Sequence, residues 1–122
     1  LQNKVKLLGY LKNPYPYINA SDIVILTSIF EGLPNILLEA QYLKKYIIST
    51  NCETGPREIL LNGKAGDLIK IKDSKKLSFL IKNYYKRKRI IKDKISEGNK
   101  NFDRFNYELN CRKYLDFIIK NQ

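Results

Sequence analysis

Ile23-Val24-Ile25-Leu26-Thr27-Ser28-Ile29-Phe30-Glu31-Gly32-Leu33-Pro34-Asn35-Ile36-Leu37-Leu38-Glu39-Ala40 is the stretch whose reading decides the fold. It opens with a near-continuous apolar run that lacks the polar alternation of a half-solvated strand. Such a run suits a strand buried on both faces of a parallel sheet. Gly32 then lets the backbone turn closely, and Pro34 starts a helix, because the N–H that proline lacks has no partner at the first helical position. Strand, short loop and helix in that order put the loop at the carboxyl end of the sheet, where ligands bind in open α/β folds.

The chemistry of the loop follows from its neighbours. The unpaired N–H groups around Gly32 to Ile36, together with the helix dipole, make an anion site suited to phosphate. Glu31 precedes that site, and Glu39 lies about a turn and a half into the helix. A carboxylate beside a bound phosphate is repelled unless its task is to accept hydrogen bonds from hydroxyl groups, which sugars and riboses offer.

The same alternation extends in both directions. Residues 5–8, which end at Gly9, and residues 46–49 and 67–71 read as further strands alongside 23–27. Residues 14–21, 34–45 and 56–62 read as helices, each beginning with proline. The repetition predicts right-handed βαβ units, an α/β Rossmann-like three-layer domain with a parallel sheet. The second half reads as a helical C-terminal tail. Leu77, Leu80, Ile81 and Tyr84 share one helical face, which Ile91 and Ile95 continue. Tyr107, Cys111, Tyr114, Leu115 and Ile118 form another stripe, with Asn106 as its N-cap. We therefore expect a single domain over residues 1–122, with a ligand-binding βαβ core at 1–72 and the helical tail at 73–122. Asp22 is expected to close the helix before its strand, Gly55-Pro56-Arg57-Glu58 reads first as a capped helix start, and the tyrosines, Tyr15 included, as packing at the core edge.

Composition narrows the function classes. A chain of 122 residues with 43% hydrophobic and 29% charged residues is a soluble globular domain with one modest core. No apolar run is long enough to span a bilayer. The sequence starts at Leu1 without an apolar leader, so a piece of a larger protein is expected. Cys52 and Cys111 stand far apart and histidine is absent. Two reduced thiols are the expectation, structural zinc is improbable, and no histidine is available for acid–base chemistry. The formal charge of +11 is concentrated in residues 70–100, which carry twelve Lys/Arg against three Asp/Glu. Its centre is Lys86, Arg87, Lys88 and Arg89. That run is a candidate for peripheral contact with anionic lipid, where each basic residue near the surface contributes about 1 kcal/mol. No recognition motif or aromatic interleaving accompanies it, so nucleic acid is not the expected partner. A solvated helix face is the plainer reading.

The spacing of Glu31 and Glu39 within E-G-L-P-N-x-L-L-E-A resembles the donor-site motif of the family-4 retaining glycosyltransferases, which have the GT-B fold (the glycosyltransferase group 1 family). Leu8-Gly9, Pro14-Tyr15-Pro16-Tyr17-Ile18, Ala20-Ser21-Asp22 and the Ser49 to Leu60 segment follow in the family's order, and Gly63 and Gly66 fit its closing turn. The resemblance implies that the chain is the C-terminal, nucleotide-sugar-binding domain, one half of a GT-B fold. It implies that Glu39 holds the ribose hydroxyls and that Glu31, the catalytic residue, contacts the transferred sugar near its developing positive charge. Gly32, Leu33, Pro34 and Asn35 would meet the sugar and diphosphate, and Gly9, Tyr10 and Leu11 would lie beside the base. The implied reaction is retaining transfer of a hexosyl or N-acetylhexosaminyl group from a UDP- or GDP-sugar to a polysaccharide or lipid-linked glycan, without a metal or other cofactor. The implied location is cytoplasmic, at most peripheral to the inner face of the plasma membrane. In this family the cationic pair that clamps the diphosphate lies upstream of the matched segment, and the acceptor site lies mostly in an N-terminal Rossmann-like domain. That domain, in cis or in trans, is an expected partner, and this chain alone is expected to transfer nothing. The alternative is a non-catalytic remnant or basic interaction module that binds anionic lipid or nucleic acid.

Overall fold

The computed structural model describes residues 4–120, so the two ends of the expected 1–122 domain lie outside the described residues. Three parallel strands, β1 (Ile23–Leu26), β2 (Tyr46–Thr50) and β3 (Asp67–Ile69), pair in the order β1-β2-β3. Ile23 stands opposite Tyr46 and Ile48 opposite Asp67. Helices α1 (Tyr15–Ala20), α2 (Asn35–Tyr42), α3 (Pro56–Ile59), α4 (Ser74–Lys82), α5 (Lys88–Lys100) and α6 (Tyr107–Lys120) surround them.

The middle strand explains why the layers form. Every residue of β2 is buried, and its side chains alternate between two cores. Ile47 packs with Ile18, Leu37, Ala40, Ile59 and Leu60 of the α1–α3 side. Tyr46 and Ile48 pack with Ile69, Leu80 and Ile91 of the α4–α5 side. A parallel sheet covered on both faces is the architecture that unalternating apolar strands require. The expected Rossmann-like three-layer domain is thus present.

One expected strand is missing. Residues 5–8 pair with no strand among the described residues, and Val5 and Leu7 are exposed. Local composition supplies β propensity, but a strand exists only where a neighbour completes its ladder. Helix starts also shift slightly. Pro14 and Pro34 serve as N-caps just outside their helices, whereas Pro56 begins α3 as expected. Ser21 rather than Asp22 closes α1, its hydroxyl donating to the carbonyl of Ile18 at 2.8 Å.

The tail wraps the sheet. α5 packs against both β2 and α2. Gly98 permits the α2 contact, since a Cβ there would stand 2.5 Å from Gln41 Nε2. Asn106 caps α6, its Oδ1 accepting from the N–H of Leu109 at 3.0 Å. Beyond that cap α6 has no buried residue, and Tyr107, Tyr114 and Ile119 are exposed. Among the described residues, no helix is long and apolar enough to cross a membrane.

Candidate functional site

The carboxyl ends of the three strands lie together, and the loop leaving β1 passes over them to α2. Thr50 and Cys52, at the exit of β2, hold that loop where it begins: both donate to the carbonyl of Ser28, at 2.6 and 3.2 Å. Cys52 is buried in this role, and neither it nor the half-buried Cys111 is in a disulfide.

Further along, the chain reaches Glu31 and Gly32. The hydroxyl of Thr54, on the β2–α3 loop, donates to the carbonyl of Glu31 at 2.6 Å. Gly55 presses against the next peptide, where a Cβ would fall 1.8 Å from the carbonyl oxygen of Gly32 and 2.8 Å from Pro34 Cδ. Its φ of +76° already favours glycine. Gly32, Leu33 and Asn35 are exposed beyond this contact, while Pro34 is buried beneath them.

α2 begins without a side-chain cap. The first N–H groups of an α-helix have no intrahelical partner, so this end presents donors and the positive end of the helix dipole. Glu39 lies about 6 Å further along the axis, four residues beyond Asn35. It is half-buried, and the Tyr15 hydroxyl donates to its Oε1 at 3.4 Å. The carboxylate of Glu31 makes no hydrogen bond or ion pair among the described residues. The site therefore offers a constrained carboxylate, an unpaired one and a row of backbone donors between them.

Gly9, Tyr10 and Leu11 occupy the turn ahead of α1. Gly9 has a φ of +66°, and Tyr10 is almost fully exposed. No hydrogen bond or ring contact joins these three residues to Glu31 or Glu39 among the described residues. An apolar cavity of about 260 Å³ opens on the α4 side of the strand ends, lined in part by Thr27, Ile29, Thr50, Ile69 and Leu77. Neither glutamate lines it. Arg57, at the start of α3, is held by Nε donating to Asn51 Oδ1 at 3.1 Å.

The basic run lies elsewhere and is not one solvated face. Arg87 donates to Asp67 Oδ2 at 2.8 Å and to the Tyr46 hydroxyl at 3.0 Å, and Lys94 reaches Asp67 Oδ1 at 3.3 Å. Tyr46 itself donates to Asp67. These partners are the first residues of β2 and β3, so the cluster sits at the amino end of the sheet, opposite the glutamates. Burial pushes the Asp67 carboxyl upward, but hydrogen bonds from Tyr46 and Arg87 and the charges of Lys94 and Arg87 outweigh it and hold it below the usual carboxylate value. Lys86, Lys88 and Arg89 remain exposed.

Sequence reasoning set Tyr15 aside as packing and gave Thr54 no role. Both make their site contacts across more than twenty residues. The one local signal was Gly55-Pro56, a glycine directly before a helix.

Residues 1–102 match the family described as Glycosyl transferases group 1. An uncharacterized glycosyltransferase of Methanocaldococcus jannaschii is 52% identical over 60 residues, which is 49% of this chain and 15% of that protein. A Campylobacter jejuni protein named N-acetylgalactosamine-N,N'-diacetylbacillosaminyl-diphospho-undecaprenol 4-alpha-N-acetylgalactosaminyltransferase is 28% identical over 118 residues, 94% of this chain and 32% of that one. Among solved structures, Anabaena HepE in complex with UDP superposes with a TM-score of 0.83 over 99% of this chain and 33% of its own, at 19% identity, a likeness of fold. The chain spans a third or less of the length of these relatives. It belongs to the group 1 glycosyltransferase family.

Proposed function

From that membership we propose that the chain is the nucleotide-sugar-binding part of a retaining glycosyltransferase. The observation that carries the reading is the placement of Glu31 and Glu39 on either side of one uncapped helix start, at the carboxyl end of a parallel sheet. Backbone N–H groups of Gly32, Leu33 and Asn35 receive the donor diphosphate, with Pro34 fixing the turn. Glu39 accepts hydrogen bonds from the ribose hydroxyls, and Glu31 from hydroxyls of the transferred sugar. Gly9, Tyr10 and Leu11 flank the base.

In this account the departing diphosphate is stabilised by fixed dipoles that need no reorganisation as charge builds, and Glu31 faces the positive charge developing on the sugar. An N-terminal Rossmann-like domain, in cis or in trans, contributes the acceptor site and further cations. The UDP bound by the Anabaena protein supports a nucleotide-sugar donor. The name of the Campylobacter protein supports an N-acetylhexosaminyl group and a lipid-linked acceptor.

Calorimetric titration of UDP and of GDP into the chain and into Glu39→Ala tests the reading. Saturable binding of one nucleotide that disappears in the variant supports it. Equal binding by both proteins would remove Glu39 from the ribose site. Binding that ignores Glu39 but vanishes with Lys86, Lys88 and Arg89 and with added salt would favour a basic interaction module instead.

A further inference from the structure

We propose that Thr54 and Gly55 are positioning residues that aim the Gly32 and Leu33 amides at the donor. The inference rests on reading the Glu31-to-Asn35 turn as the diphosphate site, and it adds residues that make no contact with the donor themselves.

In a trans peptide the C=O and N–H point in opposite directions within one plane. The carbonyl of Glu31 is tied to the Thr54 hydroxyl at 2.6 Å. The N–H of that same peptide belongs to Gly32 and must point away from the β2–α3 loop. The carbonyl of Gly32 lies against the Cα of Gly55, so closely that a Cβ there would sit 1.8 Å from the oxygen. The N–H of this second peptide belongs to Leu33 and points outward in the same sense. Two successive amides held facing one side form a concave donor pair of the kind that binds anions. Gly32 and Leu33 are exposed, whereas Gly55 and Pro34 are buried.

Without the Thr54 hydroxyl the first peptide plane is free to rotate. Without a glycine at 55 the second cannot stay where it is. Preorganised donors bind an anion more tightly than donors that must be ordered on binding. The β2–α3 loop thus acts on the donor through the β1–α2 loop, whereas a helix start that merely packs would leave nucleotide affinity unchanged.

The test is an amide-shift titration with UDP and GDP on the chain, Thr54→Val, Thr54→Ser and Gly55→Ala, with Glu39→Ala as the control for the donor reading. Thr54→Val keeps shape and loses only the hydrogen bond. It is expected to weaken nucleotide binding by roughly 3- to 10-fold, the worth of one such bond. Its amide shifts should change at Gly32 and Leu33 while the rest of the spectrum stays in place, and Thr54→Ser should restore both. Gly55→Ala should lose more affinity, but its fold is at risk, so Thr54→Val carries the decision. Wild-type affinity in Thr54→Val with Gly32 and Leu33 unmoved would overturn the proposal and leave the donor reading intact. If the parent chain binds neither nucleotide, the donor reading is what fails. The ligand-free shifts of Gly32 and Leu33 in Thr54→Val then judge the positioning alone, a change supporting it and no change overturning it.

Discussion

Arg87 grips Asp67 at 2.8 Å across twenty residues of sequence, and the pair joins the helical tail to the first residue of β3. Tyr46 and Lys94 complete the cluster from β2 and α5. Both partners of the pair are less than a fifth exposed. Losing one member of so enclosed a network leaves the others unpaired in a poorly solvated place.

Asp67→Asn is therefore expected to lower stability at neutral pH by roughly 2–3 kcal/mol, below the full cost of breaking a completely buried pair. The carboxyl is held below its ordinary value of 3.8. Its contribution is present above that value and is lost as pH falls through the lower, folded-state one. Chemical denaturation between neutral and acid pH checks this: the parent chain should lose stability on acidification, and the variant should lose less.

Tyr46 should behave in the opposite sense. Burial, then the hydrogen bond and charge of Asp67, push its phenol well above the ordinary 10.0. The folded state favours the neutral phenol, so this contribution is intact below that ordinary value and is lost at higher alkalinity. Phenolate absorbance on alkaline titration should show one of the nine tyrosines ionising only as the chain unfolds. Tyr46→Phe should remove that late step.

Tyr15→Phe should leave the fold intact, since the residue is half exposed, and should weaken nucleotide binding by roughly 2- to 5-fold. The hydroxyl at 3.4 Å from Glu39 orients the carboxylate and does not replace it. Calorimetry should rank the parent chain above Tyr15→Phe, and Tyr15→Phe above Glu39→Ala.

Gly98→Ala should destabilise by up to about 1 kcal/mol, because the added methyl meets a buried side chain that must move, at a cost of about 1–2 kcal/mol that outweighs the gain of about 1 kcal/mol in helix propensity. The atoms in its way are Gln41 Nε2, Cδ and Cγ, at 2.5 to 3.1 Å. Thermal unfolding of Gly98→Ala with and without Gln41→Ala should show the two changes to be non-additive.

How much of this was legible depends on how far each feature reaches along the chain. The β1–α2 unit was readable because an apolar run, Gly32 and Pro34 act within a few residues of one another. The same holds for Asn106, whose cap bond spans three residues. Residues 5–8 misled because their composition suits a strand while the ladder that would make them one depends on distant chain. Nothing in Lys86-Arg87-Lys88-Arg89 distinguishes Arg87 from its neighbours; only the folded position of Asp67 selects it. The backbone donors and both glutamates of the proposed site were named from the sequence, but Tyr15, Thr54 and the pressure of Gly55 on Gly32 were not, since each is a contact between separate βα loops.

The central claim, a donor site built on Glu31 to Glu39, is tested most directly by mapping amide shifts across the chain as UDP is added. The account predicts saturable changes concentrated at Gly32, Leu33, Asn35 and Glu39, with a second group at Gly9, Tyr10 and Leu11, all lost in Glu39→Ala. A spectrum unmoved by millimolar UDP and GDP, or one that moves only around Lys86, Lys88 and Arg89, would contradict it.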